Sequence, residues 1–197
     1  MTTIHVIELA KTTPQPWRNG GGVTRELLAW PAGSGGDWLV RVSVADIDRD
    51  GPFSPFPGVQ RCFTVLEGAG VVLGFAGGDT QLTPDSPPLA FDGADAPGCR
   101  LLGGSTRDLN LMARQTAGLA RMWPATLGDP LPTPARWCGL YTRSPLTLTA
   151  RGETPCHIPA HSLAWCDNAE PGEWRLAPAD GSSSTPRAWW LSLQATA

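Results

Sequence analysis

Twenty prolines and twenty-three glycines interrupt this 197-residue chain so often that no window of a dozen residues keeps a clean helical stripe. Between the interruptions stand short alternating or β-branched runs, the pattern of strands bounded by turns. The runs are IHVIEL (4–9), VTRELLAW (23–30), WLVRVSVADI (38–47), RCFTVLEG (61–68), GVVLGF (70–75) and RDLNLMAR (107–114), followed in the second half by WCGLYTR, LTLTA, HSLAWCD, EWRLAPA and RAWWLSL. Because glycine and proline sit between apolar runs, they mark turns and not a disordered chain. The expected fold is all-β, a sandwich or barrel whose sheets curl back on themselves. The stretch LARMWPATLGDPLPTPARW (119–137), with four prolines, is the best boundary between two stacked β modules, 1–118 and 119–197, the boundary being approximate and the modules interleaved. Only PADGSSSTP (178–186) reads as loose.

Composition narrows the function classes. A hydrophobic content of 41% is enough for a core. The net charge is −3 and the fifteen basic residues are scattered, so the electrostatic footprint of a nucleic-acid binder is missing. No stretch approaches the roughly 18 apolar residues of a membrane span, and the N-terminus lacks a basic start followed by a long apolar core, so the expected setting is cytoplasmic with no membrane partner. Five cysteines (62, 99, 138, 156, 166), an odd number without a Cys-x-x-Cys pair, fit reduced, buried thiols better than a disulfide framework or a zinc knuckle.

The usual chemical motifs are weak. His157 and His161 are four apart in CHIPAHS, a zinc spacing on a helix, but Pro159 lies between them and no HExxH glutamate accompanies them, so a turn flanked by ordinary histidines is the better reading. His5 alternates with Ile4 and Val6 and reads as a solvent-face residue. There is no G-x-S-x-G elbow and no cysteine with an activating neighbourhood. No metal and no cofactor are expected. The glycines of WRNGGGVTRE (17–26) form neither a P-loop nor a dinucleotide fingerprint. They serve either a turn that needs positive φ or a close backbone approach to a ligand, with Trp17, Arg18 and Asn19 offering stacking and hydrogen-bonding groups beside them.

Strand periodicity places one charge oddly. Along 61–66, Arg61, Phe63 and Val65 share a face, opposite Cys62, Thr64 and Leu66. If that face is the inside of a barrel, the guanidinium must be paired, since an uncompensated buried charge costs several kcal/mol. A small carboxylate would do this through the planar fork; the alternative is a surface arginine or one paired with an internal acid. In RDLNLMAR, Asp108, Asn110 and Met112 share a face, and Asp and Asn at alternate strand positions are unusual. They either orient Arg61, bond a ligand, or cap the strand start. Arg41 and Ser43 group likewise, opposite Val42 and Val44.

Together WRNGGGVTREL, WLVRVSVADIDRDGPFSPFPGVQRCFTVLEGAG and RDLNLMAR resemble the HutD/Ves family of small bacterial proteins, in the family's order and spacing across roughly residues 4–115. The resemblance implies a bicupin, two cupin-like β-barrels (double-stranded β-helices) in one chain, without the usual cupin metal ligands. It also implies an association with histidine utilisation, as a ligand-sensing limiter of the pathway. Trp17, Asn19, Gly20, Gly21 and Gly22 match the family's glycine motif, Arg61 its carboxylate-binding arginine, and Asp108 and Asn110 its paired polar positions; the implied ligand is a small intermediate such as formylglutamate or urocanate.

The expectation is therefore a metal-free, non-enzymatic carboxylate binder with Arg61 as the anchor. Asn19, Arg41, Ser43, Asp108 and Asn110 would supply hydrogen bonds, and Trp17 or Phe53 an apolar wall. Two rivals stand beside it. One is an isomerase or hydrolase of the same ligand class with Asp108 as acid or base. The other is a stress-associated or protein-interaction module without a small ligand, in which tryptophans such as those of RAWWLSL form a partner surface or a homodimer seam.

Overall fold

A computed structural model describes residues 3–32, 36–127, 135–150, 154–169, 174–179 and 187–195. All eleven apolar runs become strands, and three single-turn 3-10 helices are the only helical segments among the described residues. No helix there is long and apolar enough to cross a membrane. The loose segment expected over 178–186 and the centre of the proline-rich stretch 119–137 lie largely outside the described residues.

The chain forms two compact units, Thr12–Ala120 and residues 1–11 with 121–197. In the first, a six-stranded antiparallel sheet runs Gln15–Pro16, Gly22–Trp30, Val40–Ile47, Thr106–Arg114, Val59–Glu67, Leu89–Asp92 in spatial order. A four-stranded sheet runs Gly51–Pro52, Gly98–Leu101, Val71–Phe75, Gly78–Leu82. Ala45, Ile47, Phe53, Phe63 and Val65 meet Val71, Leu73, Leu82 and Cys99 in the core between these sheets, so the unit is closed at its centre by side chains. Burial of the strand Val59–Glu67 is nearly continuous, which is why its sequence shows a long apolar run with one arginine in it.

The second unit repeats the plan. Its five-stranded sheet has the order His5–Glu8, Ser162–Ala169, Ala135–Thr142, Ala188–Gln194, Leu119–Pro124, and its three-stranded sheet Cys156–Ile158, Leu146–Ala150, Trp174–Pro178. The opening strand of the chain thus pairs with Ser162–Ala169, His5 opposite Trp165. Trp174 and Trp190 lie in this unit's core with ring centroids 5.9 Å apart, and Trp189 is buried as well. The RAWWLSL tryptophans therefore present no exposed aromatic surface. His5 is exposed and stacks on Trp165 at 4.5 Å, while His157 lies exposed on a strand and His161 occupies a turn at φ 52°. Cys62, Cys99, Cys138 and Cys166 are buried. Two such barrels make a bicupin.

The glycine run turns the hairpin between Gln15–Pro16 and Gly22–Trp30. Trp17 N–H donates to the Gly22 carbonyl at 2.9 Å and Gly20 N–H to the Trp17 carbonyl at 3.0 Å, with Gly20 at φ 66°. Gly22 lies against the neighbouring strand, where a Cβ would collide with the Asp46 carbonyl oxygen. The close approach is thus to a strand backbone. Gly22→Ala is expected to destabilise by about 1–3 kcal/mol, because neither backbone can yield without breaking the ladder. Gly77→Ala, whose new methyl meets nothing within 4 Å, should stay within about 0.5 kcal/mol. Urea unfolding of both variants checks the contrast.

Candidate functional site

The register of three strands builds the site. Across the six-stranded sheet, Ala29, Arg41, Met112, Arg61 and Phe91 stand opposite one another in a single row. The next row is Glu26, Ser43, Asn110, Phe63 and Leu89, and the third is Thr24, Ala45, Asp108 and Val65. Residues paired in this way point to the same side of a sheet, and Phe63 and Val65 sit in the core, so this side is the interior. Arg61 faces inward with them.

A cavity of about 640 Å³ opens over these rows. Its wall includes Trp17, Asn19, Arg41, Ser43, Phe53, Arg61 and Asn110 of the residues expected from sequence, joined by Gln15, Arg18, Phe56 and Met112. Trp17 is fixed by its indole N–H donating to the Thr24 hydroxyl at 2.7 Å, and the Asn19 side-chain oxygen accepts from Gly21 N–H at 2.9 Å. Gly20, Gly21 and Gly22 do not line the cavity; they shape the turn that carries Trp17, Arg18 and Asn19 to it. Among the described residues, three arginines line the wall and no carboxylate does.

Arg61 is 6% exposed. Its Nη2 donates to Asn110 Oδ1 at 2.6 Å, while its buried Nε has no hydrogen-bond partner among the described residues. The guanidinium carbon lies 4.7 Å from the centroid of Phe53, 5.1 Å from Phe91 and 6.0 Å from Phe56. No acid among the described residues pairs with it. Burial, and then the nearby charge of Arg41, lowers its pKa to about 10, so it remains a cation at neutral pH. Arg41 differs: its Nε donates to Glu26 at 2.6 Å and its Nη1 approaches the Met112 sulfur at 3.7 Å.

Asp108 lies deeper and does not line the cavity. It is fully buried, with one carboxyl oxygen accepting from the Thr106 hydroxyl at 3.0 Å and the other without a partner among the described residues. It does not bond Arg61, and it stands behind the wall that its cross-strand partner Ala45 lines. Burial pushes its carboxyl up to about 8, against the Thr106 hydrogen bond and with help from the Asp46 charge. Among the described residues no group of three or more His, Cys, Asp or Glu is placed to hold a metal ion. Phe91 and Glu26 were not legible as site residues. Phe91 sits in LAFD, a run without clean alternation, and only the pairing with Arg61 brings it to the site.

The HutD family model matches residues 9–182. An uncharacterised 21.2 kDa protein in the hutC 3′ region of Pseudomonas putida is 38% identical over 115 residues, 57% of this chain and 59% of that protein. Protein Ves of Citrobacter koseri is 37% identical over 109 residues, 55% of this chain and 56% of that protein. The chain thus spans somewhat more than half the length of the curated relatives it matches. HutD from Pseudomonas fluorescens SBW25, solved in a formate condition, superposes over 99% of this chain and 100% of that one, with a TM-score of 0.82 and 30% identity. The bacterial pirin YhhW of Escherichia coli, in complex with nickel(II), shares the fold alone, over 98% of this chain and 100% of that one, at 9% identity and a TM-score of 0.63.

The raised Asp108 carboxyl carries a sign. Between pH 4 and pH 8 the native state keeps a proton that the unfolded chain has released, so stability should fall as pH rises through that window and level off above it. Urea midpoints of the wild type at pH 5 and pH 8 should show the fall, and Asp108→Asn should flatten it.

Proposed function

Because the chain belongs to the HutD family, which is associated with histidine utilisation, we propose that the Thr12–Ala120 barrel binds a small carboxylate intermediate of histidine degradation. Urocanate and formylglutamate are the candidates, and binding reports the intermediate's level so as to limit the pathway, without turnover. The observation that carries this reading is Arg61, a desolvated cation at a cavity wall, held by the rings of Phe53 and Phe91 and one amide, with a buried N–H left over among the described residues. A carboxylate offers the planar, anionic partner that the guanidinium fork matches bidentately. The flat faces of Trp17, Phe53 and Phe56 supply the apolar wall for the rest of a small ligand.

A functional arginine leaves a thermodynamic signature. Its burial is a cost to the empty protein, so Arg61→Met should melt at or above the wild-type temperature without ligand. Thermal unfolding against histidine, urocanate, formiminoglutamate, formylglutamate and glutamate tests the reading. One of the intermediates should raise the wild-type melting point, a gain of about 2.7 kcal/mol at 100 times its dissociation constant, and Arg61→Met should lose the response. A cooperative wild-type melt that none of the five shifts would overturn the proposal.

A further inference from the structure

We infer that the cavity selects carboxylates whose α-carbon bears no cationic nitrogen, and so excludes free α-amino acids. Its ligand is then an acid from which a deamination has removed the amino group, or one in which acylation has neutralised it. The inference deepens the carboxylate reading and rests on it. In an α-amino acid the ammonium group stands one carbon from the carboxylate, so a site that holds the carboxylate must also take the cation. Burying that cation is costly unless an anion or a set of unengaged acceptors lies beside the arginine.

Among the described residues the wall carries Arg18, Arg41 and Arg61 and no carboxylate. The Arg41 charge is felt at Arg61 even though Arg41 donates to Glu26, and Glu26 is itself absent from the wall. Arg18 adds a positive charge at an exposed position of the same wall. Asp108 stands behind Ala45, and burial pushes its carboxyl up to about 8, so it supplies no anion at neutral pH. The acceptors are engaged as well. Because an arginine only donates, Asn110 turns its oxygen to Arg61 Nη2 at 2.6 Å and keeps its amide N–H groups for the cavity. On the same wall the Asn19 oxygen accepts from Gly21 N–H and the Thr24 hydroxyl from the Trp17 indole. The Ser43 hydroxyl, opposite Asn110, is neutral and offsets no charge. A carboxylate, which only accepts, matches these donors, whereas an ammonium group meets donors and like charge. Urocanate has no α-amino group, and in formylglutamate the nitrogen is an uncharged amide, so both candidates fit. Histidine and glutamate do not.

Two series of probes, each on one carbon skeleton, separate charge from size. One is 3-(imidazol-4-yl)propanoate, its 2-hydroxy analogue and histidine; the other is glutarate, 2-hydroxyglutarate and glutamate. The hydroxy and amino acids of a pair share configuration and nearly share volume, and differ by one positive charge. Calorimetric titration at neutral pH gives the dissociation constants. In whichever series binds, the 2-hydroxy acid should bind at least about tenfold more tightly than the amino acid, since juxtaposed like charges are strongly disfavoured. Arg61→Met should abolish binding of the unsubstituted and hydroxy acids. An amino acid that binds as tightly as its hydroxy counterpart, or hydroxy and amino acids weakened alike against the unsubstituted acid, overturns the inference, while the carboxylate reading survives through its dependence on Arg61. Absence of binding by all six probes, in samples that melt cooperatively, overturns both.

Discussion

The pairing of Thr106–Arg114 between Val40–Ile47 and Val59–Glu67 decides what this protein can do. That register puts Arg41, Met112 and Arg61 in one row and Ser43, Asn110 and Phe63 in the next, all facing the barrel interior. A slip of one residue would turn every one of these side chains to the other face and bring Cys62, Thr64, Leu109 and Leu111 inside. The apolar residues on both faces are buried, so periodicity alone tolerates the slip. The ladder and the turn at Gly22 hold the register. Gly22 matters because no other residue lets its backbone lie against Asp46.

Once the register is fixed, Arg61 has no choice but to be desolvated. Effective penalties for a buried ion run to several kcal/mol. The compensations present are one short hydrogen bond to Asn110 and the faces of Phe53 and Phe91. A hydrogen bond to a charged group is worth about 1.5–3 kcal/mol and a desolvated cation–π contact about 2. These offset much of the penalty without satisfying the guanidinium, whose Nε has no partner among the described residues. Elsewhere in the same barrel the arginines are handled differently. Arg25 and Arg107 both bond Asp46 at 2.6 and 2.7 Å, and Arg41 bonds Glu26. The contrast between these paired arginines and Arg61 is the physical core of the binding account.

Much of this was legible in the sequence. Turn residues between apolar runs exposed the all-β fold, and the two-residue period put Arg61 on the face of Phe63 and Val65, and Asn110 on that of Met112. The polar edge strands Gly78–Leu82 and Leu89–Asp92 were not legible, because half-exposed strands carry no continuous apolar run. Phe91 was hidden with them. Asp108 shares the expected face but is fully buried and absent from the cavity wall, since periodicity reports direction and not depth. By sequence the glycine run serves a turn or a ligand contact alike, and the structure places its tight contact on Asp46. Glu26 was beyond reach, since the strand irregularity that aims it at Arg41 has no local signature.

The central claim, that Arg61 is a cation awaiting a carboxylate, is tested most directly on the guanidinium itself. In protein labelled with nitrogen-15 arginine, the Arg61 Nε–H resonance, assigned by its loss in Arg61→Met, should move downfield and its proton exchange should slow when urocanate or formylglutamate saturates the cavity. A resonance unmoved by any intermediate that binds the protein would show that the carboxylate is held elsewhere, and would contradict the account.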